Sequence, residues 1–249
     1  HERFWIVVIL ISASVFYFWQ VSKPDIVTDE SSYATRAIGM VDFDFGIEQP
    51  TPWQWVSHVP AWMHLSFHDH PPLVFLIQHF SIKLFGENPF AIRLPSVIAG
   101  LVSIFLLYLI GRRLYGREVG LIAAALFAFT ANHVWISRIG LQESTLAALM
   151  LSAVYFFLNV VIPPDNGIST VGRSTVPKAK AGFSPKSSWS LAASSVFLGL
   201  AFLAKYLAVI LVPIFLIILF IRRRGLVFSR YSLLSILCFL IVVSPVIIY

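Results

Sequence analysis

Long apolar runs separated by short polar segments dominate the pattern of the chain. A helix needs about 20 predominantly apolar residues to cross roughly 30 Å of hydrocarbon. Uncharged stretches of this length predict about seven transmembrane helices, at Phe4–Val21, Leu94–Gly111, Val119–Ser137, Ser144–Pro164, Ser187–Ala204, Tyr206–Ile221 and Tyr231–Tyr249. The predicted fold class is therefore an all-α polytopic membrane protein, with residues 1–249 forming a single transmembrane domain.

Two longer polar segments separate the predicted spans. Residues 22–92 are predicted to form a long external loop, and residues 165–188, rich in Ser, Pro, Gly and Lys, a flexible cytoplasmic linker. Within the external loop, Leu73–Phe85 is apolar but too short to span. Its Pro72 and Gly86 boundaries favour an interfacial helix. Lys205 divides the apolar stretch 187–221 into two spans, which places its amine at the outer surface.

The basic residues set the predicted orientation, because short cytoplasmic loops carry an excess of Lys and Arg. Three connections share this bias and fall on one side of the predicted bundle. They contain Arg112, Arg113 and Arg117; Arg173, Lys178, Lys180 and Lys186; and Arg222, Arg223 and Arg224. We therefore expect a multi-pass plasma (inner) membrane protein whose opposite face looks toward the periplasm or exterior.

Composition narrows the class of protein further. The chain has 58% hydrophobic and 12% charged residues, which excludes an ordinary soluble domain. Its net charge of +6 comes from loop clusters between apolar runs, so we predict no nucleic-acid partner. The lone Cys238 provides no disulfide framework. A start without Met and an end inside an apolar run lead us to expect part of a longer protein.

Ionisable residues from separate connections fall on the predicted outer face. They are Asp29, Glu30, His64, His68, Asp69, His70, Arg138, Glu143 and Lys205. Carboxylates, imidazoles and cations together suit a transfer reaction on a charged lipid headgroup. Polar residues in wet loops are an alternative interpretation for each residue alone. It explains less well why Arg138, Glu143 and Lys205 occupy connections so short that they must lie near the hydrocarbon edge.

Five motifs occur in order along the chain. They are TDESSYATRAIGM from Thr28, HDHPPLVFLIQHFSIKLFGENPFAIRLPSVIAG from His68, GRRLYGREVGLIAAALFAF from Gly111, ISRIGLQES from Ile136 and GLAFLAKY from Gly199. This set resembles glycosyltransferase family 39, the protein O-mannosyltransferases and aminoarabinose transferases of the GT-C superfamily. The resemblance implies a GT-C-type bundle and an enzyme that moves a sugar from a polyprenyl-phosphate donor to a hydroxyl of a protein, lipid or polysaccharide. Transfer would occur outside the cytoplasm with inversion at the anomeric carbon.

The same resemblance implies two catalytic carboxylates. Asp29 would be the general base, since a hydroxyl becomes a good nucleophile once a base takes its proton. Glu143 would be the second acidic residue, at a position where the family usually has Asp. Helix-terminal roles are the alternatives: Asp29 or Glu30 could cap a helix beginning at Ser31, and Glu143 could favour the start of the fourth span.

The implied substrate-binding residues are Glu30, Tyr33, His70, Arg138 and Lys205. Lys205 would face the donor's phosphate, although Tyr206 stands where the family commonly has Gly; an interface anchor is the alternative. Arg138 could pair with Glu143, bind phosphate or snorkel to the interface.

Metal dependence is left open by the sequence. His68 and Asp69 are possible ligands of a divalent metal, but the spacing of the local histidine cluster fits no standard zinc signature. No cofactor is required by the resemblance.

Two other functions remain as alternatives: a polytopic transporter and a non-catalytic membrane subunit. A transporter would carry ionisable or Gly/Pro-broken segments near the membrane midplane. The predicted spans instead lack Asp, Glu, Lys and Arg in their interiors, which favours the enzyme.

Overall fold

The computed structural model describes residues 1–26, 28–39, 70–162 and 185–248, and within these ranges all regular secondary structure is helical. The α-helices are α1 (Glu2–Phe18), α2 (Thr28–Gly39), α3 (Leu73–Phe85), α4 (Pro89–Tyr115), α5 (Arg117–Phe129), α6 (Ala131–Ser137), α7 (Gln142–Val161), α8 (Pro185–Ala204), α9 (Leu211–Arg222), α10 (Arg224–Val227) and α11 (Arg230–Ile248). A 3-10 helix, Tyr206–Ile210, joins α8 to α9. The predicted all-α class is confirmed.

Length and composition qualify two described helices, α4 and α7, as complete membrane spans. The bent pair α5 and α6 makes a third if it is counted as one span. The other apolar helices in the described ranges are shorter by this measure, so a total of about seven spans stays a prediction. The helix α3 has the predicted bounds Leu73–Phe85, and its interfacial position is likewise still a prediction.

The predicted span Val119–Ser137 is not one continuous helix. Its chain bends by 64° between α5 and α6, where Thr130 has an extended backbone conformation (φ −63°, ψ 124°). The Thr130 hydroxyl donates to the Leu126 carbonyl at 2.6 Å, and the Tyr17 hydroxyl donates to the Ala128 carbonyl at 3.0 Å. These side chains satisfy carbonyl groups that the interrupted helix leaves without a partner. The periodicity of apolar residues does not reveal such a break.

A second interruption coincides with Lys205, as predicted. Its extended backbone (φ −160°, ψ 133°) lies between α8 and the 3-10 helix. No Gly or Pro is needed here, because a φ near −160° is open to any residue.

Contacts between helix termini define two ends of the structure. At one end, Glu2 contacts Arg112 and Arg117, and Arg113 donates to the carbonyl of Ile162. We call this the arginine end. The opposite termini of α1, α4 and α7 form the carboxylate end, which is defined by Glu30, Arg93, Arg138, Glu143 and Lys205. Of the groups that the sequence assigned to one outer face, Glu30, Arg138, Glu143 and Lys205 therefore share this end of the helices.

Candidate active site at the carboxylate end

A buried ion pair is the centre of the carboxylate end. Glu30 in the first turn of α2 is 0% exposed, and it faces Arg93, which follows the start of α4. The Arg93 Nε and Nη2 atoms each donate to a different Glu30 oxygen at 2.6 Å. Two parallel hydrogen bonds of this kind fix orientation as well as distance. The pair therefore holds α2 against α4 in one geometry.

Arg93 also organises the chain that leads into α2. Its Nη1 donates to the carbonyls of Val21 at 2.7 Å and Pro24 at 3.0 Å, and its Nη2 donates to that of Asp25 at 3.0 Å. A guanidinium has five N–H donors and no acceptor, so it can satisfy a carboxylate and several carbonyls at once. One side chain thereby fixes the segment between α1 and α2.

The turn between α6 and α7 joins the same network. The Gly140 amide donates to Glu30 Oε1 at 2.8 Å, and the Gly140 carbonyl accepts from Gln78 Nε2 at 2.9 Å. A Cβ on Gly140 would lie 2.6 Å from Ile92 Cγ2 and 3.2 Å from Glu30 Oε1. Glycine is required here because the backbone approaches its neighbours closely. Helices α2, α3 and α4 and the α6–α7 turn are thus connected at one point.

Asp29, the predicted general base, lies beside this network in the first turn of α2. Its side chain is exposed, whereas that of Glu30 points into the protein. The helix begins at Thr28 rather than at Ser31, so both carboxylates lie inside it. Glu30 fixes the backbone that carries Asp29, and both of its oxygens already accept hydrogen bonds. A substrate contact through Glu30 stays a prediction.

Glu143 and Lys205 are 62 residues apart and form an ion pair. The Lys205 Nζ lies 2.6 Å from Glu143 Oε1, and the two side chains are 35% and 37% exposed. Gly140 is bonded to Glu30, and Glu143 follows three residues later in the first turn of α7. Asp29, Glu143 and Lys205 are therefore placed at the same end of the structure by a continuous series of contacts.

The remaining predicted residues flank this series. The Arg138 Nη2 atom donates to the Trp19 carbonyl at 2.6 Å, which joins the end of α1 to the α6–α7 turn. Tyr33 and His70 have ring centroids 5.2 Å apart in an edge-to-face arrangement. Tyr33 is one helical turn beyond Asp29 on the same side of α2, since residues i and i+4 of a helix are neighbours.

The histidine cluster lies largely outside the description. His64, His68 and Asp69 fall within the residues that the structure leaves undescribed. In the described ranges, no group of three or more His, Cys, Asp or Glu side chains is arranged to hold a metal ion. A divalent metal at His68 and Asp69 stays a prediction.

Sequence reasoning missed the residues that support the site: Arg93, Gln78 and Gly140. The sequence pattern gives Arg93 no role, because Arg93 immediately precedes the first residue of a predicted span. A signal was present, however, because an arginine at the edge of an apolar run is costly unless it is paired. The identity of its partner required the fold.

Comparison with known proteins gives the family. The family model described as dolichyl-phosphate-mannose-protein mannosyltransferase matches residues 69–168 and 181–249, which is most of the chain. The chain belongs to this mannosyltransferase family. The match includes Arg93, Glu143 and Lys205, whereas Asp29 and Glu30 precede it.

Curated relatives of this mannosyltransferase-family chain include arabinosyl transferases. The undecaprenyl phosphate-α-4-amino-4-deoxy-L-arabinose arabinosyl transferase 2 of Pseudomonas fluorescens is 25% identical over 244 residues, covering 95% of this chain and 36% of the relative. The corresponding transferase of Pseudomonas paraeruginosa is 27% identical over 156 residues, covering 61% and 26%. The chain therefore spans about a quarter to a third of the length of these two relatives.

Solved structures share the fold. ArnT from Cupriavidus metallidurans in the apo state matches with a TM-score of 0.70 at 19% identity, covering 99% of this chain and 41% of that one. The yeast Pmt1–Pmt2 complex bound to its sugar donor gives 0.64 at 19% identity, with 98% and 32% covered. The predicted GT-C-type membrane fold is confirmed, and this mannosyltransferase-family chain is a membrane protein.

Proposed function

We propose that this chain is the part of a membrane glycosyltransferase that binds a polyprenyl-phosphate sugar and supplies the catalytic base. Its site is the carboxylate end, facing the periplasm or exterior, and its acceptor is a hydroxyl of a protein, lipid or polysaccharide. The single observation that carries the proposal is the joining of Glu30 to Gly140 and of Glu143 to Lys205. These contacts bring carboxylates of α2 and α7 and the amine that follows α8 to one end of the structure.

The reaction follows from the chemistry of these groups. The acceptor O–H gives its proton to Asp29 as the acceptor oxygen bonds to the anomeric carbon. The bond from that carbon to the phosphate oxygen breaks, and its electron pair leaves with the phosphate. Attack opposite the leaving group inverts the anomeric carbon. The polyprenyl phosphate that leaves gains negative charge, which a fixed cation such as Lys205 stabilises.

Support also comes from the relatives. Undecaprenyl phosphate appears in the names of both arabinosyl transferases, and ArnT from C. metallidurans has been solved with that lipid bound, matching this chain with a TM-score of 0.65. The shared chemistry of all these proteins is a sugar or phosphate on a long isoprenoid. We therefore propose a polyprenyl-phosphate sugar as the donor of this chain, and the transfer assay below identifies the sugar and the acceptor.

Transfer by the purified full-length protein tests the proposal. Proteoliposomes are incubated with a panel of radiolabelled polyprenyl-phosphate sugars, and label is followed into protein, lipid and polysaccharide fractions. We expect Asp29→Asn to reduce transfer by about 10²- to 10⁴-fold, the usual contribution of a positioned base, with unchanged expression.

The matched control is Asp25→Asn. Asp25 is exposed, four residues before Asp29, and takes part in the Arg93 network through its backbone carbonyl. It should therefore retain transfer. Near-normal turnover in Asp29→Asn would remove Asp29 from the mechanism, and no transfer by the wild type from any donor would contradict the glycosyltransferase itself.

A further inference from the structure

The Glu143–Lys205 ion pair is held by rigid parts of the fold rather than by loose loops. Glu143 lies in the first turn of α7, and Lys205 directly follows the last residue of α8. These two helices form the most extensive helix–helix contact in the described ranges. The Ser194 hydroxyl of α8 also donates to the Ala153 carbonyl of α7 at 2.9 Å. The packing of α7 against α8 therefore fixes the positions of the two backbones.

The dipoles of α7 and α8 stabilise the charges of Glu143 and Lys205, respectively, at this end. The N-terminus of α7 has a partial positive charge, and the C-terminus of α8 a partial negative charge. An anion is therefore stabilised beside α7 by two sources, the helix terminus and the Lys205 amine. A phosphate group would use the same two sources, so phosphate and the Glu143 carboxylate compete for one place.

In the described ranges, some buried polar atoms next to the ion pair have no hydrogen-bond partner. The Glu143 Oε2 atom is buried and accepts no hydrogen bond within the described residues. The preceding residue, Gln142, is 0% exposed, and neither its Oε1 nor its Nε2 has a partner there. Buried polar groups in native proteins are normally hydrogen-bonded. Within the described residues, these atoms of two adjacent side chains are therefore available to a polar ligand.

We propose that Glu143 is a built-in counterion that the phosphate of the lipid donor displaces from Lys205. This inference rests on the proposed function, and it adds a regulatory role for the pair. In the resting protein Glu143 neutralises Lys205. With donor bound, Lys205 contacts phosphate and the Glu143 carboxylate is released toward the site.

The exchange also bears on product release. The donor is a phosphodiester with one negative charge, whereas the polyprenyl phosphate product is a monoester, which carries about −1.5 to −2 at pH 7. A more highly charged product would bind Lys205 more tightly than the donor does. A competing carboxylate limits that affinity and favours release of the product from the membrane site.

Binding of undecaprenyl phosphate to the purified full-length protein in nanodiscs tests this proposal. We expect Glu143→Gln to bind this lipid about three- to tenfold more tightly than the wild type, because the variant leaves Lys205 without its competitor. Lys205→Gln should bind weakly. The double variant Glu143→Gln/Lys205→Gln should show no gain over Lys205→Gln, because the gain acts through the amine.

Two further variants act as controls. Glu2→Gln removes a carboxylate from arginine partners at the arginine end and should leave the affinity unchanged. Glu143→Asp keeps the charge but withdraws the carboxylate by one methylene, so it should give a smaller gain. It also keeps the test decisive if Glu143→Gln does not fold.

The outcomes separate the two proposals. Equal or weaker binding by both Glu143 variants, while the wild type binds, would overturn the counterion role and leave the glycosyltransferase proposal standing. A gain that persists in the double variant would also overturn it, since the effect would then be one of general charge. Failure of the wild type to bind undecaprenyl phosphate or any other polyprenyl phosphate would reject both proposals.

Discussion

The two ends of the helices use ion pairs in different ways. At the arginine end, Glu2 is 19% exposed and meets Arg112 and Arg117 at 3.1 and 3.3 Å, and these two arginine side chains are 43% and 73% exposed. At the carboxylate end, Glu30 and Arg93 are buried and meet through two contacts of 2.6 Å. The same pair of chemical groups is thus a peripheral contact at one end and the centre of a network at the other.

The comparison shows which end of the structure depends on precisely placed ion pairs. Partly exposed pairs are screened and contribute little to stability. Removing one partner of a buried pair leaves an uncompensated charge, which is strongly destabilising. Glu30 of the buried pair is adjacent to Asp29. At the carboxylate end, the contact whose loss is most destabilising therefore lies beside the predicted base. The predicted cytoplasmic location of the arginine end depends only on its positive charge.

The largest effect should come from Arg93→Met. This change leaves Glu30 buried without its cation and frees the carbonyls of Val21, Pro24 and Asp25. We expect a loss of roughly 3–5 kcal/mol in the free energy of unfolding. Thermal unfolding of the purified full-length protein in detergent, followed by tryptophan fluorescence, measures the change.

The control for this variant lies on the same helix. Arg112→Met removes an arginine from the other end of α4, where its partner Glu2 keeps a second contact with Arg117. It should change stability by at most about 1 kcal/mol. Equal losses of unfolding free energy in the two variants would show that the buried network contributes no more to stability than the exposed pair.

Two glycines provide the next comparison, with an expected effect of about 1–3 kcal/mol for overpacking. A Cβ on Gly120 would lie 2.7 Å from the backbone nitrogen of Arg112 and the carbonyl oxygen of Tyr108, so Gly120→Ala should force α4 and α5 apart and lower stability. Gly140→Ala should displace Gln78 and Glu30 instead, and thereby Asp29. We expect transfer activity per folded molecule to fall in Gly140→Ala and to hold in Gly120→Ala. Similar activity in both would separate the Gly140 turn from the site.

Sequence patterns predicted the parts of this structure that depend on local composition. The all-helical class, the bounds Leu73–Phe85 and the division at Lys205 follow from apolar runs and their interruptions. For Glu143 and Lys205, the sequence predicted only that both lie on the same outer face. Its distance depends on how α7 and α8 pack, which periodicity does not encode.

Long-range polar contacts were beyond the sequence for a physical reason. Glu30 and Arg93 are 63 residues apart, and neither carries a local signal that selects the other. The bend at Thr130 was missed because one of its two stabilising donors, Tyr17, lies in another helix. A single sequence contains both the donor and the acceptor of such a long-range hydrogen bond, but it does not show that the two groups are in contact.

The smallest effect should come from Glu2→Gln, which tests the arginine end alone. The two arginine contacts of Glu2 are longer than those at the carboxylate end, and Arg117 is 73% exposed. Solvent screens such a pair, so we expect a change in unfolding free energy of about 0–1 kcal/mol that shrinks further at high salt. Thermal unfolding at low and high ionic strength measures it, with Arg93→Met as the comparison, since a buried pair is screened much less. A large, salt-independent loss in Glu2→Gln would mean that the arginine end, too, depends on a fixed polar network, and the contrast between the two ends would no longer hold.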